Sequence, residues 1–398
     1  MENIVCNGCS LLCDDVSAEI SSKGVNSLGL CKLGHTHLET VTAHKIVATQ
    51  KKLEKAADLL MNTTNLLLFG WTHATDEAIR EGLELAATLK GHFGSNVNLG
   101  PMQAMSHTIH AEGLDIDLEY VRNNGEFIIY WGTDPSESLH RHPSRFAVLP
   151  RGEKIPEGIE SRTIGVVDVR QTETMKMANH RLIIPIGSDV ELLNTVISEL
   201  EGKSVIKDKI LGIPGIELVG FVRNLQKADC IIIFYGSGVL NSGNQDTNLT
   251  GMVKLIETLR ATGKKAYALP MFVQSNTMGV IKATHDHEIV GELLHRISSG
   301  EFDTTLVVGD DVLAHLPGSV AKALAKTQIL YVGPPGGLTD KRATVSVHTS
   351  DAIIAGTGTM IRVDMKEIEF KKWRASVATE KHSEVLMKLH KLVRTKRT

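Results

Sequence analysis

Five cysteines occur in 398 residues, and four of them, Cys6, Cys9, Cys13 and Cys31, lie within the first 31 positions with the spacing C-x2-C-x3-C-x17-C. A disulfide framework suits a short secreted domain. Here three thiols crowd into eight residues of a long chain, and Met1-Glu2-Asn3 lacks the basic start and apolar stretch of an export signal. Metal binding is the better reading. Three thiolates on a turning loop and a fourth returning from a distance can cap the corners of a cubane, and soft sulfur favours iron–sulfur clusters or zinc. Zinc ribbons usually carry two C-x2-C knuckles, so one knuckle, an x3 step and a distant single cysteine lean toward [4Fe–4S]. Four buried thiols with no metal are the plain alternative. Cys230 opens an apolar run and reads as a core thiol.

A chain of this length has room for two or three domains, each with its own core, and does not depend on its cysteines to fold. Lys plus Arg number 43 and Asp plus Glu 46, a net charge of −3, with 42% hydrophobic and 22% charged residues. That balance gives no argument for nucleic acid. Apolar runs such as 65–70 and 230–234 fall far short of the roughly 18 residues that cross a bilayer. A cytoplasmic protein with no membrane partner is expected.

Beyond the cysteines, buried strands alternate with amphipathic helices. Residues 65–70 (NLLLFG), 127–132 (FIIYWG), 163–169 and 181–186 read as strands. A helix over 75–89 turns Ile79, Leu83, Ala86 and Ala87 to one face, and another over 189–200 is opened by Asp189. A second set follows, with strands over 230–236, 265–270, 304–309 and 328–333 and helices over 247–261 and 312–325. The expected fold class is α/β: an N-terminal iron–sulfur subdomain (1–50) and two doubly wound, mostly parallel domains (51–205 and 206–375). A basic helix or tail (376–398) completes the chain. In that tail Val385, Leu386, Leu389, Leu392 and Val393 form an apolar stripe among Lys388, Lys391, Arg394, Lys396 and Arg397, suited either to a partner or to the chain's own body.

Several strands end in glycine, at Gly70, Gly132, Gly236, Gly309 and Gly333. Ligands of parallel sheets bind beyond the carboxyl ends of strands, where glycine admits a phosphate or a flat ring; tight turning alone is the other reason for it. Gly236-Ser237-Gly238 is followed by Asn241 where a dinucleotide fingerprint needs glycine, and no P-loop occurs. Three H-x-H pairs, His35/His37, His140/His142 and His285/His287, raise a hydrolytic zinc site, without a matching constellation of Asp or Lys.

The ordered series of motifs is more specific. It runs Val5-Cys6-Asn7-Gly8-Cys9, Leu12-Cys13-Asp14-Asp15, Cys31-Lys32-Leu33-Gly34-His35, Gly70-Trp71, Gly100-Pro101 and Trp131-Gly132 with Asp134-Pro135. Arg141-His142, Ser144-Arg145, Val167-Asp168-Val169-Arg170 and Gly358-Thr359 with Arg362 complete it. Over residues 1 to about 375 the chain resembles the molybdopterin oxidoreductases and, within them, the B subunits of formylmethanofuran dehydrogenases. That resemblance implies a [4Fe–4S] subunit holding molybdopterin guanine dinucleotide around tungsten or molybdenum and interconverting carbon dioxide and formate. A hydrolase, a formyltransferase and a small capping subunit would be its partners, the last because the C-terminal β-barrel cap domain is a separate chain in this family. Pterin phosphates and guanines would lie along 132–145 and 168–176, with Arg141, Arg145, Arg170 and Lys176 as phosphate partners.

Departures from the family pattern fall on the reacting centre. The family's Cys-His-Gly-Pro stretch reads Asn98-Leu99-Gly100-Pro101, and the arginine expected after Pro270-Met271 is Phe272. A carboxamide is a poor ligand for a soft metal, and leucine moves no proton. His37 stands where the family places a lysine near the cluster, and 284–302 is shorter than the family's substrate loop. The expectation is therefore a cluster-bearing subunit with a depleted redox centre. The alternative is a redox-silent structural subunit, as in the bacterial formyltransferase/hydrolase complex.

Overall fold

The computed structural model describes residues 1–42, 50–95, 116–284, 293–373 and 380–397. The chain forms two compact units. One joins Met1–Met102 to Gln274–Thr398, and the other is the contiguous stretch Gln103–Val273.

The contiguous unit is built on a parallel sheet in the order Lys265–Pro270, Cys230–Tyr235, Phe127–Trp131, Thr163–Asp168 and His180–Ile183. Phe127–Trp131 and Cys230–Tyr235 are buried along their whole length, which is why they read as unbroken apolar runs rather than alternating ones. Strand order reverses between Phe127–Trp131 and Cys230–Tyr235, the mark of a doubly wound sheet. Helices Asp189–Leu200, Gly215–Lys227 and Gln245–Ala261 accompany it.

The two-segment unit carries a second parallel sheet, Val345–His348, Gln328–Gly333, Thr304–Val308, Leu66–Gly70 and His92–Phe93. Alternate residues Leu67, Phe69, Val307, Ile329 and Tyr331 pack in one cluster with Phe302, Val312 and Leu324. Leu66–Gly70 pairs with Thr304–Val308, more than 200 residues later, so a sequential cut near residue 205 would divide this sheet. The unit also holds an antiparallel sheet of Glu2–Ile4, Val16–Ser21 and Gly24–Leu28.

Two helices differ from expectation. The helix expected over 312–325 is two, Val312–His315 and Gly318–Leu324, because Pro317 lacks the N–H that a continuous helix needs. Helix Asp76–Leu89 buries Ala78, Ile79, Gly82, Leu85 and Ala86, a face rotated so that Ala87 is exposed. The rotation follows from Trp71, whose ring fills the space over Gly82: a Cβ there would lie 2.2 Å from the indole.

The C-terminal helix His382–Arg397 lays Val385, Leu386, Leu389 and Val393 against helices Gln50–Met61 and Asp76–Leu89. His390 Nε2 meets Thr88 Oγ1 at 2.8 Å, and Lys396 meets Asp58 at 2.6 Å. The stripe is covered by the chain's own body, so it is not a free docking face. Among the described residues, no helix is long and apolar enough to cross a membrane.

Candidate metal centre

Cys6, Cys9 and Cys13 are buried and Cys31 is half-buried. The loop closes on itself: Cys6 N–H donates to Cys13 O at 2.8 Å and Leu12 N–H to Cys9 O at 3.2 Å. Leu12 takes a left-handed φ of +39° to make the turn. The long x17 spacing is occupied by the hairpin Val16–Ser21/Gly24–Leu28, which returns the chain so that Cys31 meets the first loop. There the backbones touch. A Cβ on Gly34 would stand 2.8 Å from Cys6 Sγ and 3.9 Å from Cys31 Sγ, and one on Gly8 would stand 3.2 Å from Gly34 Cα. Two backbone N–H groups face sulfur, Gly8 toward Cys6 and Gly34 toward Cys31, each at 3.5 Å.

Burial pushes the Cys6 thiol up to about 12 despite the Gly8 N–H, with Cys13, Cys31 and Asp351 adding to the rise. Burial and then Cys6 likewise push Cys9 well above the ordinary thiol range. Deprotonated together, these buried sulfurs need a cation among them. Cys6, Cys9, Cys13 and Cys31 lie near enough to act on one another's charge, and Cys6 and Cys31 each face a backbone N–H, a soft sulfur donor set whose chemistry suits an iron–sulfur cluster.

A polar network supports the loop. Asn7, fully buried between Cys6 and Gly8, donates to Asp351 Oδ1 at 2.7 Å. His37 Nε2 donates to Asn7 Oδ1 at 3.0 Å and lies 3.5 Å from Asp351 Oδ2. Asp351 also caps the short helix Ala352–Ala355 by accepting from Ile353 N–H at 3.0 Å. Burial alone would raise its pKa, but His37, the Ile353 N–H and the Asn7 amide together bring it down to about 2. Val363 N–H donates to Ser10 O at 3.0 Å, next to the buried pair Arg362–Asp364 at 2.6 Å.

Other expected site residues are engaged by the protein itself. Thr359 donates from N and Oγ1 to Glu77, at 3.2 and 2.9 Å, and a Cβ on Gly358 would lie 2.8 Å from Thr75. Gly70 has φ +108°, and Trp71 follows at +79° with its ring buried on Phe93, centroids 4.8 Å apart. In the contiguous unit, a Cβ on Gly132 would lie 2.7 Å from Val239 N, on Gly238 2.7 Å from Gly132 Cα, and on Gly236 2.6 Å from Thr133. These three glycines admit neighbouring backbone or side chain. Asp134, beside buried Pro135, is buried and accepts from Glu173 N–H, Thr174 N–H and Thr174 Oγ1 at 3.0, 3.1 and 2.5 Å. Arg170 pairs with Glu137 at 3.3 Å and Lys176 with Glu173 at 2.6 Å, both exposed. Asp168 is raised by partial burial against the N–H groups of Arg170 and Val169. Arg145 lies over the Phe146 ring at 4.5 Å, and Arg141 is half-buried. Phe272 is buried. Asn98, Leu99, Gly100 and Pro101 lie outside the described residues, as do His285 and His287.

The described histidine pairs are split between separate tasks. His35 faces Ser27 Oγ at 3.0 Å while His37 serves Asn7, and exposed His140 bonds Glu137 O at 2.9 Å while buried His142 meets Tyr130 OH at 3.2 Å. Sequence reasoning missed one dyad. His73 Nδ1 hydrogen-bonds buried Asp310, which also accepts from Thr72 N–H at 2.9 Å and Thr72 Oγ1 at 3.0 Å. Asp310 follows Gly309, and the partners are some 237 residues apart, with only the strand-end position of each to hint at it.

No family model matches this chain. The B subunit of the tungsten-containing formylmethanofuran dehydrogenase 2 of Methanocaldococcus jannaschii is 25% identical, over 94% of this chain and 93% of that protein. Its namesake in Methanococcus maripaludis is 23% identical over 93% of each. The chain is a relative of the formylmethanofuran dehydrogenase B subunits. A chain of the formyltransferase/hydrolase complex of Methylorubrum extorquens, solved with methylofuran, shares the fold. It superposes with a TM-score of 0.64 at 16% identity, covering 87% of this chain and 97% of that one. For a relative of these dehydrogenase B subunits, the four cysteines and the Asn7–Asp351 support are the features that the described structure brings together.

Proposed function

We propose that this chain is the B subunit of a formylmethanofuran dehydrogenase-type complex of C1 metabolism, carrying a [4Fe–4S] cluster while its own redox centre is depleted. The carrying observation is the closed Cys6–Cys13 loop, met at Gly34 by the returning Cys31, in a chain that aligns with such subunits over 94% of its length. Cys6, Cys9, Cys13 and Cys31 would ligate the cluster, which when bound supplies one-electron transfer. Gly8 and Gly34 donate backbone N–H groups toward its sulfur ligands, and burial keeps water from the loop.

Asn98, Leu99 and Phe272 supply neither a soft metal ligand, nor a proton-transfer group, nor a cation for a developing oxyanion. The same replacements favour a second reading, a non-redox structural subunit of a formyltransferase/hydrolase-type complex. On either reading a hydrolase, a formyltransferase and a small capping subunit are the partners. Should molybdopterin guanine dinucleotide with tungsten or molybdenum be held, Arg141, Arg145, Arg170 and Lys176 are the cations for its phosphates.

Elemental analysis of the chain purified anaerobically with its native partners tests both. About four irons and matching sulfide without tungsten or molybdenum is the expected result. Iron together with either heavy metal restores a working dehydrogenase centre, and zinc without iron overturns the cluster.

A further inference from the structure

We propose that Asp351 is a positioning residue for the metal cluster: it tethers both cysteine-bearing segments, and its charge sets the cluster's reduction potential. This inference rests on the cluster reading above. One carboxylate, 4% exposed, reaches both segments. Through the 2.7 Å bond to Asn7 it holds the loop between Cys6 and Cys9, and through His37 at 3.5 Å it holds helix Lys32–Thr42, which follows Cys31 directly. Asn7 and His37 are themselves joined at 3.0 Å, so the three side chains close a ring that spans both ends of the x17 insertion.

The carboxylate is fixed on its other side as well. Its Oδ1 caps helix Ala352–Ala355 by accepting from Ile353 N–H, and its burial leaves no room for water to screen it. A charge in that setting acts on its neighbours far more strongly than a surface charge does. The carboxylate stands 2.7 Å from the side chain of Asn7, the residue that follows Cys6. Reduction adds one electron to the cluster, with no bond formed or broken in the protein. With His37 beside it in the parent and the variant alike, the negative field of Asp351 opposes reduction, and removing it raises the potential.

The test uses the full chain copurified anaerobically with its partners. Asp351→Asn keeps an acceptor for Ile353 N–H and removes the charge. The expected result is unchanged iron per chain with an upward shift in the cluster's midpoint potential, read by redox titration followed by electron paramagnetic resonance. Full iron at an unchanged potential overturns the electrostatic role. Asn7→Ala removes the tether and leaves the carboxylate in place. Loss of iron or altered g values there supports tethering, and full iron with an unchanged spectrum overturns it. A wild-type chain that binds zinc or no metal removes the cluster reading itself, an outcome separate from either of these.

Discussion

The indole nitrogen of Trp131 donates a 2.7 Å hydrogen bond to Asp189 Oδ1, tying the end of a central strand to the first turn of helix Asp189–Leu200. Both side chains are buried, so the carboxylate depends on this donor for its desolvation to be tolerated. Trp131→Phe leaves it without the indole and is expected to destabilise the contiguous unit by about 2 kcal/mol, as other charge-assisted buried bonds do. Urea denaturation followed by circular dichroism reads the loss, and an unchanged midpoint would show that Asp189 finds another partner.

On the cluster proposal, Cys9→Ser is expected to yield an anaerobic preparation without brown absorbance and to raise hydrogen exchange over the first 40 or so residues, because cluster binding and local folding are coupled. A variant with wild-type iron content would remove Cys9 from the ligand set.

Gly34→Ala tests the close packing around the Cys6 sulfur. Gly34 lies inside a helix at an ordinary negative φ, so alanine is tolerated by the backbone, yet its Cβ would stand 2.8 Å from Cys6 Sγ. Iron per chain is expected to fall, and the melting temperature of the metal-free protein to fall slightly, because the Cβ meets Cys6 Sγ at 2.8 Å and Leu30 at 3.2 Å. Retention of full iron would mean that the sulfurs can move apart without loss.

Leu389→Ala should destabilise the two-segment unit by about 3 kcal/mol, the usual result of emptying a fully buried leucine site. Its neighbours on helices Gln50–Met61 and Asp76–Leu89 come from the other end of the chain, so the loss should appear as earlier exchange of both helices by mass spectrometry. A surface-like change of a few tenths would place the stripe elsewhere.

Asp76 gives a pH dependence. Burial raises its pKa to about 6 against the opposing Asn276 amide, whereas an unfolded aspartate titrates near 3.8. The folded state therefore binds the proton more tightly. Its contribution to stability is complete below about pH 4 and is lost as pH rises through about 6. Relative to the parent, Asp76→Asn should gain melting temperature between pH 4 and pH 7, and a difference that is flat across that window would contradict the raised pKa.

Much of the strand content is visible in the sequence because parallel strands buried on both faces are written as solid apolar runs: Phe127–Trp131 and Cys230–Tyr235 are legible without any partner. The cysteine spacing likewise announces a segment that folds back on itself, a closed loop and a hairpin. The pairing of Leu66–Gly70 with Thr304–Val308 is not legible, since register between strands so distant leaves no local trace and invites a sequential division instead. Gly132, Gly236 and Gly238 illustrate a different limit. Glycine at a strand end signals a close approach, but the sequence does not say what makes it, and the structure brings a neighbouring loop within that distance. Asp351 shows no motif at all; its role depends on Asn7, 344 residues away.

That separation also orders events during synthesis. The contiguous unit Gln103–Val273 has all its strands once it has emerged, whereas the cysteine loop, made first, waits for partners made last. Asn7 meets Asp351 and Ser10 meets Val363 only when nearly the whole polypeptide exists. A truncated or stalled chain would expose four cysteines without the scaffold that holds them. The order of synthesis thus leaves the cysteine loop unsupported until the far end of the protein has arrived and docked.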